Sequence, residues 1–328
     1  MRNQPITKAH RRITPAVRLA VGLIGCLAIS GVLLNCSGGR PPGFDRAAVG
    51  PPTIKDASYV GWQKCLECHA EQQKKMEQTL HGKILGTTVS RTDLQRYGCE
   101  ACHGPSSRHV DDPTNPAFHI RFGAASAHSI AERNAVCLQC HAQGRRLFWP
   151  GSPHEMRDLA CTACHSVKAP QTTRAQLKAP SQLQLCSECH AVKTAMFQNW
   201  SHMPVREGKL QCADCHNVHG TITEKLIPEN SINENCYRCH MDKRGPFLYE
   251  HPPVREDCRT CHVAHGSNNV RLLRIRSPRL CQQCHDQSGH PSTAFQNPAD
   301  RRNIGRGCAS CHVNIHGSNH PSGFAFTR

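Results

Sequence analysis

Apolar residues are unevenly distributed along the chain. The longest apolar run is Leu19–Leu34, which has 16 residues without a charge and follows a basic N-terminal segment. No later stretch alternates apolar and polar residues for long enough to predict a β-sheet. Short helical patterns occur at Glu71–Leu80, Gln184–Ala191 and Arg279–His285, and 24 glycines and 22 prolines favour loops elsewhere. The pattern predicts mostly loops and short α-helices, with little or no sheet.

The basic segment and the apolar run together predict an export signal. A run of 16 residues lies between a usual signal-peptide core and a full membrane span. Cys36 follows the run and precedes Ser-Gly-Gly, which makes it a candidate lipidation site, although Asn35 is an unusual residue before such a cleavage point. An uncleaved or ordinarily cleaved signal is the alternative. We therefore assign residues 1–36 to a signal or anchor segment and the Gly- and Pro-rich residues 37–57 to a flexible linker.

Cysteine dominates the candidate chemistry, because 20 of the 22 cysteines lie in ten C-x-x-C-H units. This unit is the attachment signal for c-type haem. The two thiols bind the vinyl groups of one haem, and the adjacent histidine binds its iron. The predicted thioether residues of ten haem c groups are Cys65, Cys68, Cys99, Cys102, Cys137, Cys140, Cys161, Cys164, Cys186, Cys189, Cys212, Cys215, Cys236, Cys239, Cys258, Cys261, Cys281, Cys284, Cys308 and Cys311. The predicted proximal ligands are His69, His103, His141, His165, His190, His216, His240, His262, His285 and His312.

One such unit would also fit a zinc knuckle or a redox dithiol. Ten units favour haem, because neither alternative requires a histidine directly after every second cysteine. Successive units begin 22 to 38 residues apart, and a repeat of this size cannot bury a haem alone. The haems must therefore lie close together, as electron hopping requires.

Composition supports a chain wrapped around cofactors. Aromatic residues make up only 5% and hydrophobic residues 38% of the chain, so porphyrins would replace much of an ordinary core. The formal charge is +16, but ten haems would add about twenty propionate charges, which predicts an acidic holoprotein. The basic residues form no patch interleaved with aromatics, and this argues against a nucleic-acid partner.

Histidines outside the motifs are the candidate distal ligands. Only five methionines remain besides Met1, so coordination by two histidines is favoured over His/Met coordination, which would raise the potentials. His219 and His265 follow a motif histidine by three residues and His316 by four. A residue so close cannot reach the opposite face of the same porphyrin, so we expect these three to bind neighbouring haems. Twelve candidates follow the apolar run: His81, His109, His119, His128, His154, His202, His219, His251, His265, His290, His316 and His320.

Several segments resemble the periplasmic decahaem cytochromes of the MtrA/DmsE type, the inner components of outer-membrane porin–cytochrome conduits. These segments are Cys99–Pro105, Cys212–Gly220, Cys236–His251, Leu280–His290 and His316–Gly323. The resemblance covers nearly all of residues 60–328 and leaves His119 and His128 outside the family pattern. Lys168 stands where members often have a histidine, which leaves the pairing of the fourth or a neighbouring haem open, and His119 or His128 could compensate there. The resemblance implies the distal ligands His81, His109, His154, His202, His219, His251, His265, His290, His316 and His320.

The resemblance also implies a function: a non-enzymatic relay that carries electrons across the outer membrane. Its implied partners are an outer-membrane β-barrel porin, periplasmic or inner-membrane donor cytochromes, and an outer-surface multihaem cytochrome or terminal reductase. It implies a periplasmic location at the outer membrane, and we divide the chain into pentahaem halves, 58–195 and 196–328. The alternatives are a free periplasmic electron shuttle or store, and a multihaem reductase with one open haem near Lys168.

Overall fold

The computed structural model describes residues 50–285, 307–321 and 323–327. The signal or anchor segment, the candidate lipidation site Cys36 and the candidate ligand His290 lie outside the described residues. The division into two pentahaem halves stays a prediction.

Short helices joined by loops make up the described chain, and its longest helix has 16 residues. The α-helices are α1 (Trp62–Glu77), α2 (Asp93–Arg96), α3 (Glu100–His103), α4 (Ser107–Asp111), α5 (Ile130–His141), α6 (Cys161–Cys164), α7 (Gln182–Ser187), α8 (Ala191–Met196), α9 (Cys212–Cys215), α10 (Ile232–Tyr237) and α11 (Pro252–Glu256). Short 3₁₀ turns cover Pro116–Phe118, Gly144–Arg146, Glu155–Arg157, Glu224–Leu226, Met241–Lys243, Cys258–Thr260, Val270–Leu272, Cys281–Gln283, Cys308–Ser310 and Gly323–Ala325.

Extended pairing in the described ranges is limited to isolated bridges, such as His165 with Leu177 and His262 with Leu273. Within the same ranges, each helix is too short or too polar to cross a membrane. The prediction of short helices and loops with little or no sheet is confirmed.

The three predicted helical segments are only partly helical. Glu71–Leu80 falls largely in α1, which bends at His69 and ends at Glu77. Gln184–Ala191 is interrupted, because α7 ends at Ser187 and α8 begins only after His190, whose φ of −101° and ψ of 43° are not helical. In Arg279–His285 the helical part shrinks to the 3₁₀ turn Cys281–Gln283. In Gln184–Ala191 the attachment motif itself interrupts the helix, because His190 leaves the helical path.

Serine caps begin three of the helices that lead into motifs. The side chains of Ser129, Ser181 and Ser231 accept hydrogen bonds from backbone N–H groups three residues later. The third residue after each serine is Glu or Gln, as in a capping box. Each cap satisfies a backbone donor that the helix leaves unpaired.

A small apolar cluster lies near the N-terminal end of the described chain. Ile54, Ile120 and Val136 are buried in it, and Ala57 and Phe122 pack against them. Ile54 and Ala57 fall at the end of the predicted linker 37–57, so the folded part begins a few residues before position 58.

Candidate haem-binding sites

The attachment motifs, numbered here 1 to 10 from Cys65 to Cys308, share one backbone turn. In eight of them the histidine N–H donates to the carbonyl of the first cysteine at 2.8–3.0 Å. Motifs 1 and 3 lie within helices α1 and α5. A helical turn places residues i and i+3 on the same face. Both sulfurs of a motif therefore point to the same side, as one porphyrin requires.

Consecutive motifs are neighbours in space. Within motifs 1 and 2, Cys65 hydrogen-bonds to Cys99, and this contact raises the pKa of Cys65 and lowers that of Cys99 to about 7. The mature thioethers carry no proton, so these shifts matter here as signs of proximity. Cysteines interact at all nine junctions along the array: Cys65 with Cys99, Cys102 with Cys137, Cys137 with Cys161, Cys164 with Cys189, Cys186 with Cys212, Cys215 with Cys236, Cys236 with Cys258, Cys261 with Cys284 and Cys281 with Cys308. The motifs therefore follow one another in space in the order of the sequence.

Buried amide side chains join some of these neighbours. Asn233 donates through Nδ2 to the carbonyls of Val254 and Arg255 at 2.9 Å, and its Oδ1 accepts from the N–H of Cys258 at 2.8 Å. Asn134 binds in the same way to the carbonyl of Leu159 and the N–H of Cys161.

Each of these asparagines lies three residues before an odd-numbered motif and holds the start of the next, even-numbered one. Sequence reasoning missed them, although Asn-x-x-Cys recurs at both places.

The proximal histidines of the even-numbered motifs are oriented by backbone carbonyls. Nδ1 of each ring lies within hydrogen-bond range of a carbonyl oxygen, so Nδ1 carries the proton and Nε2 is left to bind a metal. The pairs are His103 with Ile120 at 2.7 Å, His165 with Ala175 at 2.6 Å, His216 with Lys225 at 2.8 Å, His262 with Arg271 at 2.8 Å, and His312 with Ala325.

Seven motif histidines face a second imidazole at nearly constant distance. The ring centroids lie 5.9–6.4 Å apart, whereas the angle between the ring planes ranges from 9° to 77°. The pairs are His69 with His109, His141 with His81, His165 with His219, His190 with His154, His216 with His265, His262 with His316, and His285 with His251.

This geometry fits an iron between the two rings. A metal–nitrogen bond is about 2 Å long and the ring centre lies about 1 Å farther out, so two axial imidazoles have centroids roughly 6 Å apart. The two bonds fix that distance but leave each ring free to rotate about its own bond. A packing contact would instead change its distance between stacked and edge-on arrangements. The constant distance at variable angle is therefore what a shared iron would impose.

Six of the seven pairs follow a simple register along the chain, and the exception is His109, which follows motif 2 and faces His69 of motif 1. The trailing histidines His219 and His265, which belong to motifs 6 and 8, each face the motif histidine two units earlier. His316, which trails motif 10, likewise faces His262 of motif 8. The histidines that lie between motifs pair in the opposite direction. His81 follows motif 1 and faces the histidine of motif 3, His154 follows motif 3 and faces that of motif 5, and His251 follows motif 7 and faces that of motif 9.

Burial prepares the trailing histidines for a metal. It lowers the pKa of His219 to about 4, with the nearby charge of His165 adding to the effect. Burial likewise lowers the pKa values of His265 and His316. These rings are therefore neutral near pH 7, the state in which imidazole binds a metal.

Two further predicted distal ligands contact other groups. His202 is the histidine that the register would direct to His240 of motif 7, but its Nε2 lies 3.0 Å from Glu207 Oε1. His320 lines a cavity with His316, Lys243 and Phe247.

The two histidines outside the family pattern lie near the first motifs. The ring of His119 lies 4.2 Å from that of His109, and its Nε2 accepts from Arg121 at 2.7 Å. His128 precedes helix α5, and its backbone N–H donates to Ser126 Oγ.

Comparison with known proteins agrees with this construction. A curated multihaem cytochrome MtrA from Shewanella baltica (strain OS185) is 41% identical over 276 residues, which cover 81% of each chain. The chain belongs to the MtrA family of multihaem cytochromes. The doubled CXXCH motif family matches residues 202–245 and 251–290, and the cytochrome c-type protein NrfB-like family matches residues 99–189.

A more distant relative is the high-molecular-weight cytochrome c of Nitratidesulfovibrio vulgaris (strain Hildenborough). It is 21% identical over 76% of this chain and 50% of its own length. Membership of the MtrA family establishes covalently bound haem c and a role in electron transfer.

Proposed function

We propose that this chain is the periplasmic relay of an outer-membrane porin–cytochrome conduit. Ten haems held at the attachment motifs would carry electrons from periplasmic or inner-membrane cytochromes to an outer-surface multihaem cytochrome or terminal reductase. The observation that carries the proposal is the unbroken row of ten attachment motifs in chain order. A row of this kind has two ends, one for a donor and one for an acceptor.

The proposed coordination closes most irons with two imidazoles. The seven ring pairs would hold the irons at motifs 1, 3, 4, 5, 6, 8 and 9. We assign His202 to motif 7 by register, and His290 or His320 to motif 10. When bound, the haems supply the redox chemistry, and coordinative saturation keeps small substrates away from the iron. The chain itself attaches, orients and spaces the cofactors, which is the work of a relay rather than of an enzyme.

A vesicle experiment separates this function from its alternatives. The chain is extracted from outer membranes in mild detergent, together with whatever barrel protein accompanies it, and is reconstituted into liposomes that enclose a redox dye. External reductant should bleach the enclosed dye within the mixing time. A matched preparation carrying Cys308→Ala and Cys311→Ala lacks the tenth haem and should bleach the dye far more slowly.

The opposite results are equally informative. Reduction of an external acceptor without bleaching of the enclosed dye would refute the conduit and leave a free periplasmic shuttle. Turnover of nitrite, hydroxylamine or a sulfur oxyanion by the purified chain would refute the non-enzymatic assignment.

A further inference from the structure

Lys168 occupies a position that holds a paired histidine in two other motifs. His219 and His265 lie three residues after the motif histidine and face the motif histidine two units earlier. Lys168 lies three residues after His165 of motif 4. The same register directs Lys168 to His103 of motif 2.

The backbone around motif 4 matches that of motifs 6 and 8. The residue after each motif histidine donates its N–H to a carbonyl on a return loop, and that loop also accepts from the histidine Nδ1. These N–H bonds are Ser166 to Gln176 at 2.8 Å, Asn217 to Leu226 at 2.7 Å and Val263 to Leu272 at 2.7 Å. Each return loop has two successive residues with left-handed φ values: Ala175 and Gln176, Lys225 and Leu226, and Arg271 and Leu272. Because the backbone is alike in the three motifs, the residue three positions after each motif histidine lies in an equivalent place.

Electrostatics places Lys168 beside motif 2 independently. Burial lowers the pKa of His103 to about 4, the hydrogen bond to Ile120 opposes this, and the Lys168 ammonium is the strongest charged neighbour that lowers it further. Burial raises the pKa of Cys102 to about 12, and Lys168 opposes that rise. The Lys168 charge also adds to the lowering of the Cys99 pKa that the hydrogen bond from Cys65 causes. Lys168 therefore acts on both cysteines and on the histidine of one motif.

The imidazoles around motif 2 contact other groups. The ring of His103 meets the edge of Phe122, with centroids 5.7 Å apart. His109 faces His69 of motif 1, and His119 Nε2 accepts from Arg121.

We propose that the ε-amine of Lys168 is the distal ligand of the haem iron at motif 2, where Cys99 and Cys102 attach the haem and His103 binds the iron from the other side. The assignment rests on the proposed attachment of a haem at each motif. A lysine amine binds a metal through its lone pair, so the ammonium releases one proton to solvent as the iron–nitrogen bond forms. The flexible four-carbon stem of lysine reaches at least as far as an imidazole. Because axial-ligand identity tunes potential, this haem differs from the imidazole-paired haems of the row.

The test uses the oxidised full-length holoprotein, its total haem content, and low-temperature EPR with near-infrared magnetic circular dichroism. The wild-type chain should contain ten low-spin haems, one with the near-infrared signature of histidine–amine coordination. Lys168→Ala should turn one haem in ten high-spin. Lys168→Arg should do the same, because a guanidinium keeps the charge but does not coordinate iron. Lys168→His should keep ten low-spin haems and replace the amine signature by a bis-imidazole one.

Two comparisons make the result specific. Lys178→Ala removes a lysine beside motif 4 that pairs with Glu188 at 3.6 Å, and it should leave the spectra unchanged. Acidification should release the distal ligand of one haem in the wild type at a higher pH than in Lys168→His, because a free primary amine holds its proton more tightly than imidazole does.

Ten low-spin haems in Lys168→Ala would overturn the proposal, and so would a high-spin haem in the wild type. A high-spin haem in His119→Ala or His128→Ala, with Lys168→Ala unaffected, would assign the ligand to that histidine instead and overturn it too. Fewer than ten haems in the wild-type protein would instead refute attachment at every motif, so the two failures are distinguishable.

Discussion

Replacement of Asn233 by alanine tests whether buried amides hold consecutive motifs together. The Asn233 side chain is 6% exposed and makes three hydrogen bonds across the loop between motifs 7 and 8. Asn233→Ala removes all three and leaves the N–H of Cys258 and two carbonyls without that partner. We expect haem attachment to survive, because no cysteine changes, and the packing of motif 8 against motif 7 to weaken.

The expected cost follows from the number of lost bonds. A buried hydrogen bond contributes about 1 kcal/mol net, so three amount to about 3 kcal/mol. Asn235 is a matched control on the same helix, α10. Its Nδ2 donates one long bond of 3.4 Å to the carbonyl of Cys215, and its Oδ1 is buried without a partner. Asn235→Ala should therefore change the free energy of unfolding by less than about 0.5 kcal/mol.

Native-state hydrogen exchange measures the effect where it arises. The amide of Cys258 donates to Asn233 Oδ1, and a loss of about 3 kcal/mol should speed its exchange by about two orders of magnitude. The urea midpoint of the ferric holoprotein should fall as well. Equal exchange rates at Cys258 in Asn233→Ala and Asn235→Ala would refute the view that this amide holds the two motifs together.

Three further perturbations test other parts of the fold. His265→Ala should create a high-spin haem at motif 6, because His265 faces His216 at 6.1 Å; removal of the motif 6 cysteines should abolish that EPR signal, and persistence of the signal would refute the register. Gly266→Ala should weaken the same site, because an added Cβ would lie 2.0 Å from the Met196 carbonyl; haem spin state by EPR reports this, and a wild-type spectrum would contradict it. Glu100→Gln should lower the free energy of unfolding, measured by urea titration, by about 2 kcal/mol, because the carboxylate is 1% exposed and accepts three backbone N–H bonds, and an amide NH₂ cannot accept the one from Gly61; a cost below about 0.5 kcal/mol would show that this bond is replaced.

The identity of the cofactor was easier to predict from this sequence than the pairing of the histidines. The C-x-x-C-H units identify the cofactor because two thiols and an imidazole at fixed spacing suit one kind of group. The spacing also predicted that His219 and His265 serve neighbouring haems, since a porphyrin is wider than three residues can span. It did not predict the direction, two units backwards, because that depends on where the return loops hydrogen-bond.

The three trailing histidines share one further sequence feature. Glycine directly follows His219, His265 and His316. At Gly220 and Gly266 an added Cβ would lie 2.0 Å from a backbone carbonyl of an earlier segment, Phe148 and Met196 respectively. Close backbone contact is a reason for glycine. The His-Gly pair does not give the direction by itself, however, because His81 is also followed by glycine and faces the later motif histidine His141. Lys168 is followed by alanine, which sets motif 4 apart from this pattern.

The register of paired imidazoles also explains how so small an apolar core holds the chain. Ile54, Ile120 and Val136 form a cluster at one end of the described chain, far too little to order every loop. Six of the seven proposed bis-histidine irons instead join segments that lie two motifs apart, and the seventh, between His69 and His109, joins adjacent motifs. The cysteines of adjacent motifs also lie close to one another. Every segment is then tied both to its neighbour and to its next neighbour, so the haems act as cross-links as well as redox centres. Metal binding and folding are coupled in such a design, and the same close spacing that conducts electrons also stabilises the fold.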